Sequence, residues 1–208
     1  MPAEHRPPRA LGIWVVLALA VTGCSGAVGK ATDESLARDL RNTTHQGRGL
    51  EVFPIDTVRK AGNPSTAVTP DECSLIGQGL LPPILDGRPG AMALTPDRVN
   101  VTVVEMGSVE AADAKLAERD RVLASPACRS TTLTGGGRTQ QVTVAEAPTS
   151  DHGLEAARAM TTTSPDGKAV SLLGRKGSVL VLVNSSNSAE LGPVQELARS
   201  VASTIDAG

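Results

Sequence analysis

Val179-Leu180-Val181-Leu182-Val183 is apolar at every position. A strand with one wet face alternates apolar and polar residues, so this unbroken run predicts a central strand covered on both faces. The turn before it, Arg175-Lys176-Gly177-Ser178, carries residues that suit a tight reversal. Upstream, the same reading gives candidate strands at 130–134, 139–145, 156–163 and 169–173. Gly135-Gly136-Gly137 and Pro165-Asp166-Gly167 supply turns among them. Downstream, Leu191, Val194, Ala198, Val201 and Ile205 fall at helical spacing, and Pro193 sits near the first turn, where proline is tolerated. The second half of the chain is therefore expected to be an antiparallel meander closed by a helix.

The first half alternates helices and strands. Val99-Asn100-Val101-Thr102-Val103 reads as a half-buried strand with the valines inward. Ser108 caps a helix that places Val109, Ala112, Leu116 and Leu123 on one face. Glu110, Lys115, Glu118 and Arg121 take the other, Lys115 and Arg119 being available for i,i+4 pairs, and Ser125-Pro126 ends it. Thr69-Pro70-Asp71-Glu72 has the pattern of a helix start, so a helix is expected from there to Leu81, stopped by Pro82-Pro83, with Cys73, Ile76 and Leu80 facing the core. A strand over 50–55 would place Phe53 in the core. The fold class that follows is α+β: an antiparallel β-sheet with helices packed against it, one domain over 49–208.

Ahead of this domain, the N-terminus sets His5-Arg6-Pro7-Pro8-Arg9 before an apolar stretch from Ala10 to Val21. That stretch is shorter than the roughly 20 residues of a membrane span and fits the apolar core of a secretory signal. Val21-Thr22-Gly23-Cys24 then resembles the bacterial lipobox, an aliphatic residue, two small ones and a cysteine. The resemblance implies removal of residues 1–23 and a diacylglyceryl thioether on Cys24, whose freed amine is open to acylation by a palmitate-type chain. Two or more acyl chains suffice for stable anchoring. The expected location is the cell membrane, lipid-anchored on the extracytoplasmic face. Residues 24–48, small, polar and charged with a short helical hint near Ser35 to Leu40, read as a lipidated N-terminus and flexible tether. Thr43 and Thr44 are possible sugar acceptors within it.

With Cys24 carrying lipid, Cys73 and Cys128 remain. A disulfide is the default pairing in an oxidising location; a redox or metal site is the competing reading, though no histidine accompanies either cysteine. Composition narrows function further. Of 208 residues only Trp14 and Phe53 are aromatic, and 20 Lys+Arg stand against 22 Asp+Glu. Stacking platforms and a basic field are both missing, so nucleic acid is not an expected partner.

Catalytic signatures are equally sparse. The histidines beyond the signal region are His45, in the expected tether, and His152, in the loop-like Ser150-Asp151-His152-Gly153. No G-x-S-x-G elbow, phosphate loop, H-E-x-x-H or C-x-x-C occurs. No catalytic, cofactor-binding or metal-ligating residues are assigned, and no cofactor is expected. The scattered Met92, Met106 and Met160 read as core. The Arg175-Lys176 turn could touch anionic headgroups, as exposed hairpin tips often do.

Taken together, the lipobox, the Pro-Asp-Glu-Cys helix, the charged helix ending Leu-Ala-Ser-Pro-Ala-Cys and the β-meander resemble a group of mycobacterial and related actinobacterial lipoproteins, similar to the PknH-like extracellular sensor domain family. The resemblance covers roughly residues 50–206. It implies a non-catalytic ligand-sensing module of the cell envelope, with a cleft bordered by the sheet and a small-molecule, lipid or protein ligand. Inward signalling would then need a partner. The family pattern carries two disulfides, whereas Cys73 and Cys128 supply one, so no ligand residues carry over. The alternative function is a lipid or glycolipid carrier, which would need a large apolar cavity.

Overall fold

A computed structural model describes residues 31–62, 66–185 and 190–205. The signal segment 1–23 and the lipidation site Cys24 lie outside the described residues. The chain runs α1 (Asp33–Asn42), β1 (Thr44–His45), β2 (Arg48–Gly49), β3 (Glu51–Phe53), α2 (Ile55–Ala61), β4 (Ala67–Thr69), then α3 (Leu75–Gln78) and α4 (Leu81–Leu85). It continues through β5 (Gly90–Leu94), β6 (Val99–Glu105), α5 (Val109–Ala124), β7 (Ser130–Gly135), β8 (Arg138–Ala147), β9 (Ala156–Ser164), β10 (Gly167–Lys176), β11 (Val179–Ser185) and α6 (Leu191–Thr204). Short 3-10 turns cover Asp71–Cys73 and Pro126–Arg129.

Nine strands form one antiparallel sheet in the order β3-β5-β6-β11-β10-β9-β8-β7-β4, so the α+β class read from the sequence holds. The apolar strand β11 lies inside the sheet between β6 and β10, with Val181 opposite Val103 on one side and Gly174 on the other. Both its faces are covered, as its composition requires. Val179, Val181 and Val183 enter the cluster made with α1 and α6 (Leu36, Leu40, Val194, Leu197, Val201). Leu180 and Leu182 enter the opposite cluster with Ile84, Ala112 and Leu116. Burying each such side chain contributes about 1.5–3 kcal/mol.

Strand β6 departs from expectation: the face opposite the inward valines is largely covered. Val104 is fully buried because α4 and α5 cover the side that an alternating pattern marks as solvent, Thr102 is buried beside it, and Asn100 is half-buried. Phe53 is also misplaced by the sequence reading. It lies on the edge strand β3 and is 37% exposed, while Leu50 takes the buried position.

The tether reading fails over 33–48. Helix α1 is capped by a reciprocal Thr32–Ser35 box and buries Leu36 and Leu40 against β5 and α6. Two leucines one helical turn apart suffice, because the docking surface is already apolar. Asp33 fastens the helix further: it accepts from Arg59 at 2.6 Å and from the Gly90 backbone N–H at 2.8 Å. Thr43, weighed as a sugar acceptor, is 1% exposed and donates to the Asp39 carbonyl. His45 is buried against this side of the domain too, and neither ring nitrogen has a partner among the described residues.

The Cys73–Cys128 disulfide is formed, with Cα atoms 5.5 Å apart. It ties the turn after β4 to the exit of α5, beside Val68 and Val122. Glu72 lies near both sulfurs, but sulfurs joined to each other are not thiolate ligands.

Candidate functional site: a cleft between the 75–81 segment and the sheet

The segment expected to be one helix from Thr69 to Leu81 is broken. Thr69 ends β4, and the 3-10 turn leads to the one-turn α3. Gly79 then takes φ +55°, and α4 restarts with Pro82 and Pro83 in its first turn. The cause lies in Gly77-Gln78-Gly79: glycine is a poor helix former, and a proline pair can open a helix as readily as it ends one. The glycines also permit close approach. A Cβ on Gly77 would stand 2.7 Å from Val68 Cγ2, and one on Gly79 2.8 Å from Leu182 Cδ2. Held by the disulfide at one end and these contacts along its length, the segment forms one wall of a cleft of about 510 Å³.

The floor is the α5 side of the sheet. Cross-strand register sets Asn100, Asn184, Ser171 and Met160 in one row across β6, β11, β10 and β9. Leu75, Ile76, Leu133, Val142 and Leu182 add an apolar wall, and the β9–β10 turn, with Asp166 and Lys168, forms an exposed rim. Polar groups left open inside include Asn100 Oδ1, which is buried without a hydrogen-bond partner among the described residues.

Arg119 is the strongest feature. The sequence suggested a solvent-face charge for helix pairing; instead it is 2% exposed and lines the cleft. Its Nη2 donates to the Ser171 carbonyl at 3.2 Å and to the Ser171 hydroxyl, while Nε has no partner among the described residues. The neighbouring acids on α5 face other cations: Asp113 pairs with Arg175, Glu118 with Lys115 and Asp120 with Arg158. Among the described residues no carboxylate lies within ion-pair distance of Arg119. Burial pushes its pKa down to about 10, so it remains cationic at neutral pH. A signal for this was present. Ala112, Leu116, Arg119 and Val122 are spaced four, three and three, so Arg119 stands on the apolar stripe of its own helix.

The other residues singled out in the sequence are placed as follows. Met106 and Met160 are buried in the core and Met92 packs against it, as expected, and Met92 and Met160 also reach the cleft from strands far apart in sequence. His152 accepts the Leu154 N–H on Nδ1 and belongs to a loop; burial lowers its pKa against the opposing pull of Asp151. Arg175 and Lys176 are not a free hairpin tip. Arg175 is held by Asp113 and Glu155, and Lys176 donates to the Ala202 and Ile205 carbonyls at the end of α6. No helix among the described residues is long and apolar enough to cross a membrane.

No protein-family model matches the chain, and no curated protein matches it. Among solved structures, an uncharacterized Mycobacterium smegmatis protein (Rv0999 ortholog) is 15% identical, over 84% of this chain and 97% of that one, with a TM-score of 0.43. The extracellular domain of PknH from Mycobacterium tuberculosis is 14% identical, over 84% of this chain and 96% of that one, with a TM-score of 0.56. The fold of this chain therefore resembles that of the PknH extracellular domain.

Proposed function

We propose that this chain is a lipid-anchored, extracytoplasmic protein that acts as a non-catalytic ligand-binding or sensor-like module of the cell envelope. The observation that carries the reading is the cleft of about 510 Å³, which lies in the size range of small-molecule sites and mixes apolar walls with a few convergent polar groups. Its polar groups are donors and acceptors suited to recognition; they do not form a nucleophile–base pair. The fold likeness to an extracellular domain and the lipobox at Cys24 support the same location. The apolar wall of Leu75, Ile76, Leu133, Val142 and Leu182 favours the second reading, a lipid or glycolipid carrier.

One experiment tests the location and another the role. Cys24→Ala protein should move from the detergent phase to the soluble fraction; continued detergent partitioning refutes the anchor. Native mass spectrometry of protein purified from its own host reads the role. A sub-stoichiometric small ligand supports the sensor-like module, a full complement of co-purified lipid supports the carrier, and processing of the captured molecule refutes both.

A further inference from the structure

We infer that the cleft takes an anionic amphiphile, a single carboxylate or phosphate head seated at Arg119 with an apolar portion along Ile76, Val142, Met160 and Leu182. This rests on the binding-module reading and names the class of ligand.

Three observations carry it. First, Arg119 is a buried guanidinium facing a cleft with no carboxylate within ion-pair distance among the described residues. Buried charges are ordinarily paired, because an uncompensated one costs several kcal/mol. A guanidinium presents a fork of donors that matches carboxylate and phosphate oxygens, and Ser171 occupies only Nη2. Second, the charge balance of the lining favours an anion. Arg119 and Lys168 are cationic, and the single acid, Asp166, is on the exposed rim. Third, beside the polar floor of Asn100, Asn184 and Ser171 the cleft has a hydrocarbon wall, Ile76, Val142, Met160 and Leu182, which a bare inorganic anion would leave wet. A head and a tail on one molecule satisfy both parts.

The test uses the whole chain in a neutral detergent and four probes read by calorimetry: octyl phosphate, octanoate, octanol and inorganic phosphate. Two variants remove the positive site in different ways. Arg119→Met keeps the stem and deletes the charge. Asn184→Asp is nearly isosteric and puts a negative charge across from Ser171, the residue that holds Arg119, in the β10–β11 register, about 5 Å from it, so the positive field of the site is offset. Octyl phosphate and octanoate are expected to bind the unmodified chain and to lose at least tenfold in affinity in each variant, octanol being indifferent to both. The order of octyl phosphate and octanoate separates a phospholipid-type head from a fatty acid. Should Arg119→Met fail to fold, Asn184→Asp alone decides. Equal binding of the anions to all three proteins overturns the inference, as does inorganic phosphate binding as tightly as octyl phosphate. If octanol binds the unmodified chain and the anions add nothing, the anion class falls and the binding-module reading stands. If no probe binds and host-purified protein carries no ligand, both fall.

Discussion

Replacing Arg119 by methionine should leave the fold as stable as before or slightly more stable, although the residue is 2% exposed and hydrogen-bonded. The magnitude follows from its surroundings. Burial alone pushes the guanidinium pKa down to about 10 from the ordinary arginine value. At roughly 1.4 kcal/mol per pH unit, holding the charge inside costs the folded state about 3 kcal/mol. The bonds to Ser171 offset about 1.5–3 kcal/mol of that, as hydrogen bonds of a charged group do. Methionine preserves most of the stem volume and opens no large cavity. The net expectation is a gain of 0 to about 1.5 kcal/mol. Because the folded-state pKa is lowered, the penalty is complete at every pH below about 10 and is relieved only above it; the gain should therefore be the same at pH 6 and pH 8. Urea denaturation with the disulfide intact measures it as a shift of midpoint at constant slope. A loss of more than 2 kcal/mol would show that Arg119 is a structural pin, paired by something stronger than Ser171, and would refute the reasoning. In the unmodified chain, ligand at one hundred times its Kd should add about 2.7 kcal/mol, a gain the variant should lack.

Three other perturbations probe what positions the site. Replacing Cys73 and Cys128 by serine should cost about 4 kcal/mol, since the bridge closes a sequence separation of 55 residues; denaturation midpoints with and without reductant check this, and equal midpoints would refute it. Gly79→Ala places a Cβ 2.8 Å from Leu182 Cδ2 at φ +55°, so a loss of about 1–3 kcal/mol and weaker ligand binding are expected, read by thermal denaturation and calorimetry. For Asp33, burial works against the charge, but the Arg59 hydrogen bond and the Gly90 N–H outweigh it and hold the carboxyl below its ordinary range. Its stabilisation is present above the unfolded-state value near 3.8 and is lost as pH falls through the lower folded value, so Asp33→Asn should lower stability by about 1 kcal/mol at pH 7, a difference that shrinks as pH falls below 3.8.

Elements with a strong local period were legible in the sequence. The 130–185 meander, α5 with its Ser108 cap and α6 all stand close to where their patterns placed them, because alternation and 3.6-residue spacing depend on neighbours along the chain. The failures share a different cause. Helix α1 has too little apolar surface to announce itself, and its burial comes from β5 and α6, which lie far away in sequence. The 69–81 helix looked complete from its capping residues, yet Gly77 and Gly79 were needed for contact with Val68 and Leu182. Phe53 looked like core because it is large, but an edge strand can leave a large ring half in water.

The amino-acid sequence by itself determined the fold class, the central place of Val179–Val183 and the cysteine pair free to join, since each follows from local pattern or composition. The cleft was decided only by tertiary structure. Arg119, Ser171, Asn100 and the 75–81 segment come from four separate stretches; the place of Arg119 on the apolar stripe of α5 marks its burial, but nothing local marks what it faces. The apolar stripe says that Arg119 turns towards the protein, but which groups it meets there depends on a strand more than fifty residues away in the chain, which leaves no mark on the helix. That non-local packing is what leaves Arg119, on the buried stripe of its helix, a cation inside a cleft with no carboxylate beside it among the described residues.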